Sequence, residues 1–221
     1  MKNPINYSFK TEIWPFLIII ITVAVGFWAY PNLPERVISH WNIYGQADDW
    51  MSRDFHVWFF PALIIGIYLL LSVVPKFDPK GERYKDFANV YLAIRTLMLL
   101  VLAVVFVAAT LFNLGYNINI GATVAGAVGL TMIILGNYFG KLKRNWFVGI
   151  RTPWSLSSEN VWNKTHRLGG RLFILWGLGI MITPWLMPNA VLAIMLGGLV
   201  MVAWIMIYSY RLYKKEKQDA K

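Results

Sequence analysis

Charged residues punctuate the chain unevenly, and the uncharged stretches between them set its architecture. A helix needs about 20 residues to cross the ~30 Å hydrocarbon core of a bilayer. Ile13 to Pro34, between Glu12 and Glu35, is long enough for one span, with Trp14, Trp28 and Tyr30 near its ends as interface anchors. Phe55 to Pro75 supplies a second, with Pro61 expected to kink it near its entrance. Thr96 to Gly140 runs 45 residues without a charge and reads as two helices joined by a polar turn at Asn113 to Asn119. Leu172 to Tyr210 runs 39 residues and breaks at Pro184 to Asn189, giving a second hairpin. The pattern predicts an all-α integral membrane protein, a bundle of six transmembrane helices.

Composition agrees with that pattern. Of 221 residues, 57% are hydrophobic and 14% charged, with a mean hydropathy of +0.51, whereas soluble domains carry about 25% charged residues. The absence of cysteine closes thiolate metal sites, disulfides and cysteine nucleophiles. The first span reads as retained rather than cleaved, because its apolar run exceeds a signal-peptide core and Trp28 and Tyr30 stand where small residues would precede cleavage.

Charge then orients the chain. Of the 21 Lys and Arg, 18 fall in the N-terminal tail, Lys76 to Lys85, Lys141 to Arg171, or the tail from Arg211 onward. The positive-inside rule therefore expects both termini in the cytoplasm, and the +10 net charge marks orientation toward membrane lipids rather than nucleic-acid binding. Arg95 lies in the third span, and its stem is expected to snorkel to the inner interface. Gly121, Gly126, Gly129, Gly136 and Gly140 on the fourth helix are expected to let a neighbouring helix approach closely.

Two polar segments remain to carry function. The outer one, from Leu33 to His56, holds His40, Asp48, Asp49, Asp54 and His56. Its spacing fits neither a His-x-x-x-His face nor a calcium loop, so no metal is expected, and Pro34 to Tyr44 reads as a short interfacial helix turning at Gly45. In the inner one, Lys141 to Arg171, Asn145 to Ile150 reads as a connector, and Thr152-Pro153 caps a helix. Apolar and basic stripes from Trp154 to Leu168 predict an interfacial cytoplasmic helix between the fourth and fifth spans, with Gly169-Gly170 turning the chain into the fifth. Arg151 suits either a planar clamp on a carboxylate or phosphate, or simple headgroup contact.

The inner segment resembles the SdpI-type immunity membrane proteins of bacteria, through Gly136-Asn137, Asn145, Gly149-Ile150-Arg151-Thr152-Pro153-Trp154, Leu156, Trp162 and Thr165-His166-Arg167. The first loop looks like a small domain of unknown function that often precedes this region, through Leu33-Pro34, His40-Trp41-Asn42 and Gly45. One departure is Tyr138-Phe139-Gly140, where the family often has a proline. The resemblance divides the chain into residues 1–86 and 87–221, with a motif segment at 137–171. It implies a multi-pass protein of the bacterial cytoplasmic membrane that protects against a secreted toxic peptide and, in some settings, recruits a transcriptional repressor. It marks Asn137, Asn145, Gly149, Arg151, Thr152, Pro153, Trp154, Trp162 and His166 as the inner binding or structural motif, and His40, Trp41, Asn42 and Gly45 as outer recognition residues. No catalytic residue, cofactor or direct nucleic-acid contact is expected. A membrane-embedded enzyme or small transporter acting on a lipid or peptide is the alternative.

Overall fold

A computed structural model describes residues 3–186 and 189–219. Several of the long helices start where a side chain satisfies a first-turn amide. Helix α1 (Phe9–Ala29) follows Ser8, and α2 (Arg53–Phe77) begins after Ser52, whose hydroxyl accepts from the Phe55 amide at 3.2 Å. Helix α3 (Ala88–Asn113) and α4 (Ile120–Phe139) are joined by the expected polar turn, with Asn119 accepting from Ala122 N at 2.9 Å. A five-residue helix, α5 (Pro153–Ser157), is capped by Thr152; α6 (Glu159–Ile182) is capped by Ser158; α7 (Asn189–Asp219) closes the chain. Among the described residues, six helices are long and apolar enough to cross a membrane. Their outward faces carry Phe16, Ile20, Phe27, Leu70, Leu175 and Leu199, all exposed, as a bundle solvated by lipid requires. The protein is an all-α integral membrane protein. Of the predicted break at Pro184 to Asn189, a single 3-10 turn at Thr183–Trp185 is described, and residues 187–188 lie outside the described residues.

Helices α1, α2 and α3 pack on one another, α3 also packs on α4, and α4 and α6 form the most extensive helix pair. That pair depends on glycine. A Cβ at Gly170 would stand 2.5 Å from the Gly136 carbonyl oxygen, and one at Gly177 would stand 2.6 Å from that of Gly129. The two contacts are seven residues apart on each antiparallel helix, so the backbones touch where side chains would otherwise hold them apart. This locates the small-residue face expected on the fourth helix, although Gly121, Gly126 and Gly140 take no part in it.

Three expectations need correction. Pro34 to Tyr44 is not helical: β1 (Arg36–Trp41) pairs antiparallel with β2 (Ala47–Ser52), and Gly45, at φ 76°, makes the turn. Val37, Ile38 and Trp41 favour strand, and Val37 is fully buried against Ala29, Leu33 and Val57. The hairpin is pinned by Asn113 at the end of α3, which accepts from Ile38 N at 2.7 Å and donates to Ile38 O at 3.1 Å, imitating a third strand.

The second correction concerns Trp154 to Leu168, which is not one in-plane helix. The chain breaks at Ser158, and α6 continues straight through Gly169-Gly170, which serve the α4 contact rather than a turn. The third is Arg95. It does not snorkel: its guanidinium is wholly buried, donating to Glu12 Oε1 at 2.7 Å and to Ser72 Oγ at 2.8 Å, between the rings of Tyr7 and Tyr68.

Candidate functional site

The loop between α4 and α5 folds around Asn145, which is fully buried. Its Oδ1 accepts from Phe147 N at 3.0 Å and Val148 N at 2.7 Å, while Nδ2 donates to Lys143 O at 2.9 Å and Val148 O at 3.0 Å. One amide thus replaces the backbone pairing this irregular segment lacks. Asp78, just beyond α2, receives Trp146 N at 2.9 Å and the Tyr84 hydroxyl at 3.0 Å, tying the loop to the opposite half of the molecule.

Against this loop lies α6. The Trp162 indole donates to Leu142 O at 2.8 Å and stacks on His166, with ring centroids 4.0 Å apart. His166 Nε2 accepts the Ile150 amide at 2.9 Å, which leaves the proton on Nδ1, facing Trp162 O at 2.9 Å. Both ring nitrogens are therefore engaged. Gly149 fits only as glycine: φ is 111°, and a Cβ would stand 2.4 Å from His166 Nε2. Thr152 caps α5 through Ser155 N at 3.0 Å and meets Ser209 of α7 at 2.6 Å, and the Trp154 ring packs on Tyr210.

Asn145, Gly149, Thr152, Pro153, Trp154, Trp162 and His166 are thus gathered into one interlocked unit joining α4, α5, α6 and α7. Arg151 sits at its exposed rim and donates to Trp146 O at 2.7 Å. Asn137 stands apart, exposed on α4 and bonded to Ile133 O at 2.9 Å. Asp78, Tyr84 and Ser209, which complete the unit, were not singled out from the sequence. Each lies more than 50 residues from the motif-segment residue it meets, Trp146 for Asp78, Asn145 for Tyr84 and Thr152 for Ser209, and no local spacing signals such a pair.

On the opposite, hairpin face, His40 pairs with Asp48 at 2.6 Å on an exposed edge. Asn42 accepts from Tyr44 N at 2.9 Å and Gln46 N at 3.0 Å, shaping the turn that Gly45 completes. Trp41 packs edge-on against Phe112 of α3. Below the hairpin opens a groove of about 790 Å³, bounded by α3, α4, α6 and α7 and lined by Trp41, Tyr44, Val124, Val128, Trp176 and Met195 among others. None of its described lining residues is Asp, Glu, Lys or Arg. Trp41 belongs to this lining, and its Nε1–H, buried from solvent, has no acceptor among the described residues. His56, by contrast, is buried inside the bundle, with Nε2 2.9 Å from the Thr110 hydroxyl. No group of three or more His, Asp or Glu able to hold a metal occurs among the described residues.

A six-span bundle with a glycine-locked α4–α6 pair, an interlocked basic-face loop and a hairpin on the other face defines a class of multi-pass membrane protein, and sequence comparison says which. The model of the SdpI/YfhL protein family matches residues 141–209, from the loop through most of α7. That of a domain of unknown function, DUF1648, matches residues 17–65, from α1 through the hairpin into α2. Over these stretches the chain is similar to the SdpI/YfhL family, with the DUF1648 match lying ahead of the SdpI/YfhL match. It is 26% identical to the Immunity protein SdpI of Bacillus subtilis (strain 168) over 208 residues, 93% of this chain and 97% of that protein. No solved structure matches it.

Proposed function

We propose that this membrane immunity protein acts by capturing an apolar segment of a secreted toxic peptide in the groove beneath the hairpin. The groove carries the reading: about 790 Å³ of largely apolar space is bounded by four helices and roofed by polar hairpin residues. An apolar ligand entering it exchanges water or lipid for packed side chains. The name of the Bacillus relative and its near full-length overlap support the same reading. The charge asymmetry supports an orientation with the hairpin outside and both termini in the cytoplasm. The basic face then docks a soluble partner such as a transcriptional repressor, with the Arg151 side chain exposed at its rim. The role is one of binding, without turnover.

The direct test is deletion and complementation. Cells lacking the gene, challenged with a panel of secreted membrane-active peptides, are expected to become sensitive to one of them and to regain resistance with the wild-type chain. Unchanged sensitivity across the panel at confirmed wild-type abundance overturns the reading.

A further inference from the structure

The basic face holds a second concavity, beside the interlocked loop. Helix α2 ends at Phe77, and Asp78 then bends the chain sharply: its Oδ1 accepts Lys80 N at 2.7 Å, and its carbonyl accepts Gly81 N at 2.8 Å. The bend leaves no room for a side chain at residue 81, since a Cβ there would stand 2.8 Å from the Pro75 carbonyl oxygen. It folds Lys76, Lys80 and Arg83 around the same space as Arg144, which arrives from the loop after α4. The result is a pocket of about 440 Å³, with Pro4, Pro75 and Pro79 among its walls. Three prolines give it a rigid frame.

The charges in this pocket do not balance. Four cations line it against two carboxylates, Asp78 and Glu82. Asp78 is turned inward to Tyr84 and Trp146, and Glu82 is paired with Lys85. Nearby Glu159 bonds Arg83 at 2.6 Å and lies 3.8 Å from Arg144 Nε. Lys76 and Lys80 have no salt bridge among the described residues, and the buried Arg144 Nε–H has no hydrogen-bond acceptor among them. Burial, then the Arg144 and Arg83 charges, push the Lys80 ammonium below its ordinary value. Cations gathered this closely repel one another, and an anion placed among them removes that cost.

We infer that this pocket binds a phosphate group, carried either by an anionic phospholipid of the adjacent leaflet or by a soluble phosphate ester. Phosphate matches it in charge, and its oxygens accept from ammonium and guanidinium donors at once. Lysine and arginine in a recess at the membrane surface, rather than spread over an open face, distinguish this site from the general attraction of a basic surface for lipid.

The test uses the full chain in phosphatidylcholine nanodiscs. In one arm diphosphatidylglycerol is added to the bilayer; in the other, glycerol phosphate is titrated in solution; thermal midpoint and bound ligand by native mass spectrometry are read in both. The Lys76→Gln/Lys80→Gln double variant is compared with Lys143→Gln/Lys214→Gln, which removes the same net charge from exposed positions outside the pocket. At least tenfold weaker binding in the pocket variant, with the control within twofold of wild type, is the expected result. The arm in which that loss occurs identifies the source of the phosphate. Equal loss in both variants reduces the site to surface charge and overturns the inference, as does the absence of binding in both arms.

Discussion

Glu12 and Arg95 make the most exacting prediction, because the bilayer leaves them no alternative partner. The Arg95 side chain is 0% exposed and that of Glu12 11%, and their 2.7 Å contact ties α1 to α3. Around them Tyr68 donates to Glu12 Oε2 at 2.8 Å, and Ser72 links the guanidinium to α2. The Ser72 carbonyl in turn receives Asn3 Nδ2 at 2.9 Å and the Tyr7 hydroxyl at 2.7 Å, so the N-terminal segment hangs on the same knot. Changing Glu12 to Gln keeps the shape but strands a buried guanidinium, at a cost of about 3–5 kcal/mol. At roughly 2–4 °C per kcal/mol for a chain of this size, the midpoint is expected to fall by about 6–20 °C in nanodiscs. Arg95→Met alone strands the carboxylate and is expected to cost a similar amount. The pair Glu12→Leu with Arg95→Met strands neither charge, and should lie within about 2 kcal/mol of wild type, so the double-mutant cycle carries a large coupling term. If each single variant melts within about 2 °C of wild type, or the cycle shows no coupling, the guanidinium reaches water and the buried pair is not what holds α1, α2 and α3 together.

Three further perturbations probe other parts of the architecture. Gly170→Ala drives a Cβ to 2.5 Å from a backbone oxygen and should destabilise the α4–α6 pair by about 1–3 kcal/mol; Gly126→Ala, with nothing within 4 Å, should be neutral or stabilising in the same melting assay. Asn145→Leu leaves Phe147 N, Val148 N and two carbonyls without partners, at about 1–3 kcal/mol each where water cannot reach them, and hydrogen exchange should show residues 143–149 losing protection while α3 keeps its own. Arg151→Lys retains one donor for Trp146 O and should change stability by less than about 0.5 kcal/mol while weakening recruitment of a cytoplasmic partner; unchanged recruitment would leave Arg151 as an orienting charge alone.

The spans were legible because bilayer thickness turns a run of uncharged residues into a length measurement. The Asn113 to Asn119 turn and the glycine face of α4 followed from equally local signals. The hairpin escaped because the side chain that pins it, Asn113, is 75 residues from Ile38, and its two hydrogen bonds leave no trace in the spacing of residues 33–56. Arg95 was misread for the same reason. Its distance along the helix from the charged end allowed snorkelling, and only the fold shows Glu12, 83 residues earlier, beside it. Gly169-Gly170 read as a turn, whereas Gly170 instead lets the Gly136 backbone of the helix opposite approach closely, a contact no local spacing reveals. Within the motif, Thr152 and Pro153 disclosed their capping role in sequence. His166 and Asn145 gave up theirs only when the loop they brace was seen.

If protection is exerted in the groove under the hairpin, filling that groove removes it. Ala125 lines the groove from α4, and Ala125→Trp places an indole in the space while leaving the α4–α6 glycine contacts and the basic-face loop untouched. The measurement is the growth of cells expressing this variant under a peptide to which the deletion strain is sensitive, at membrane abundance and melting midpoint matched to wild type. Resistance is expected to fall toward that of the deletion strain, with the fold intact. Full resistance with the groove filled would contradict it.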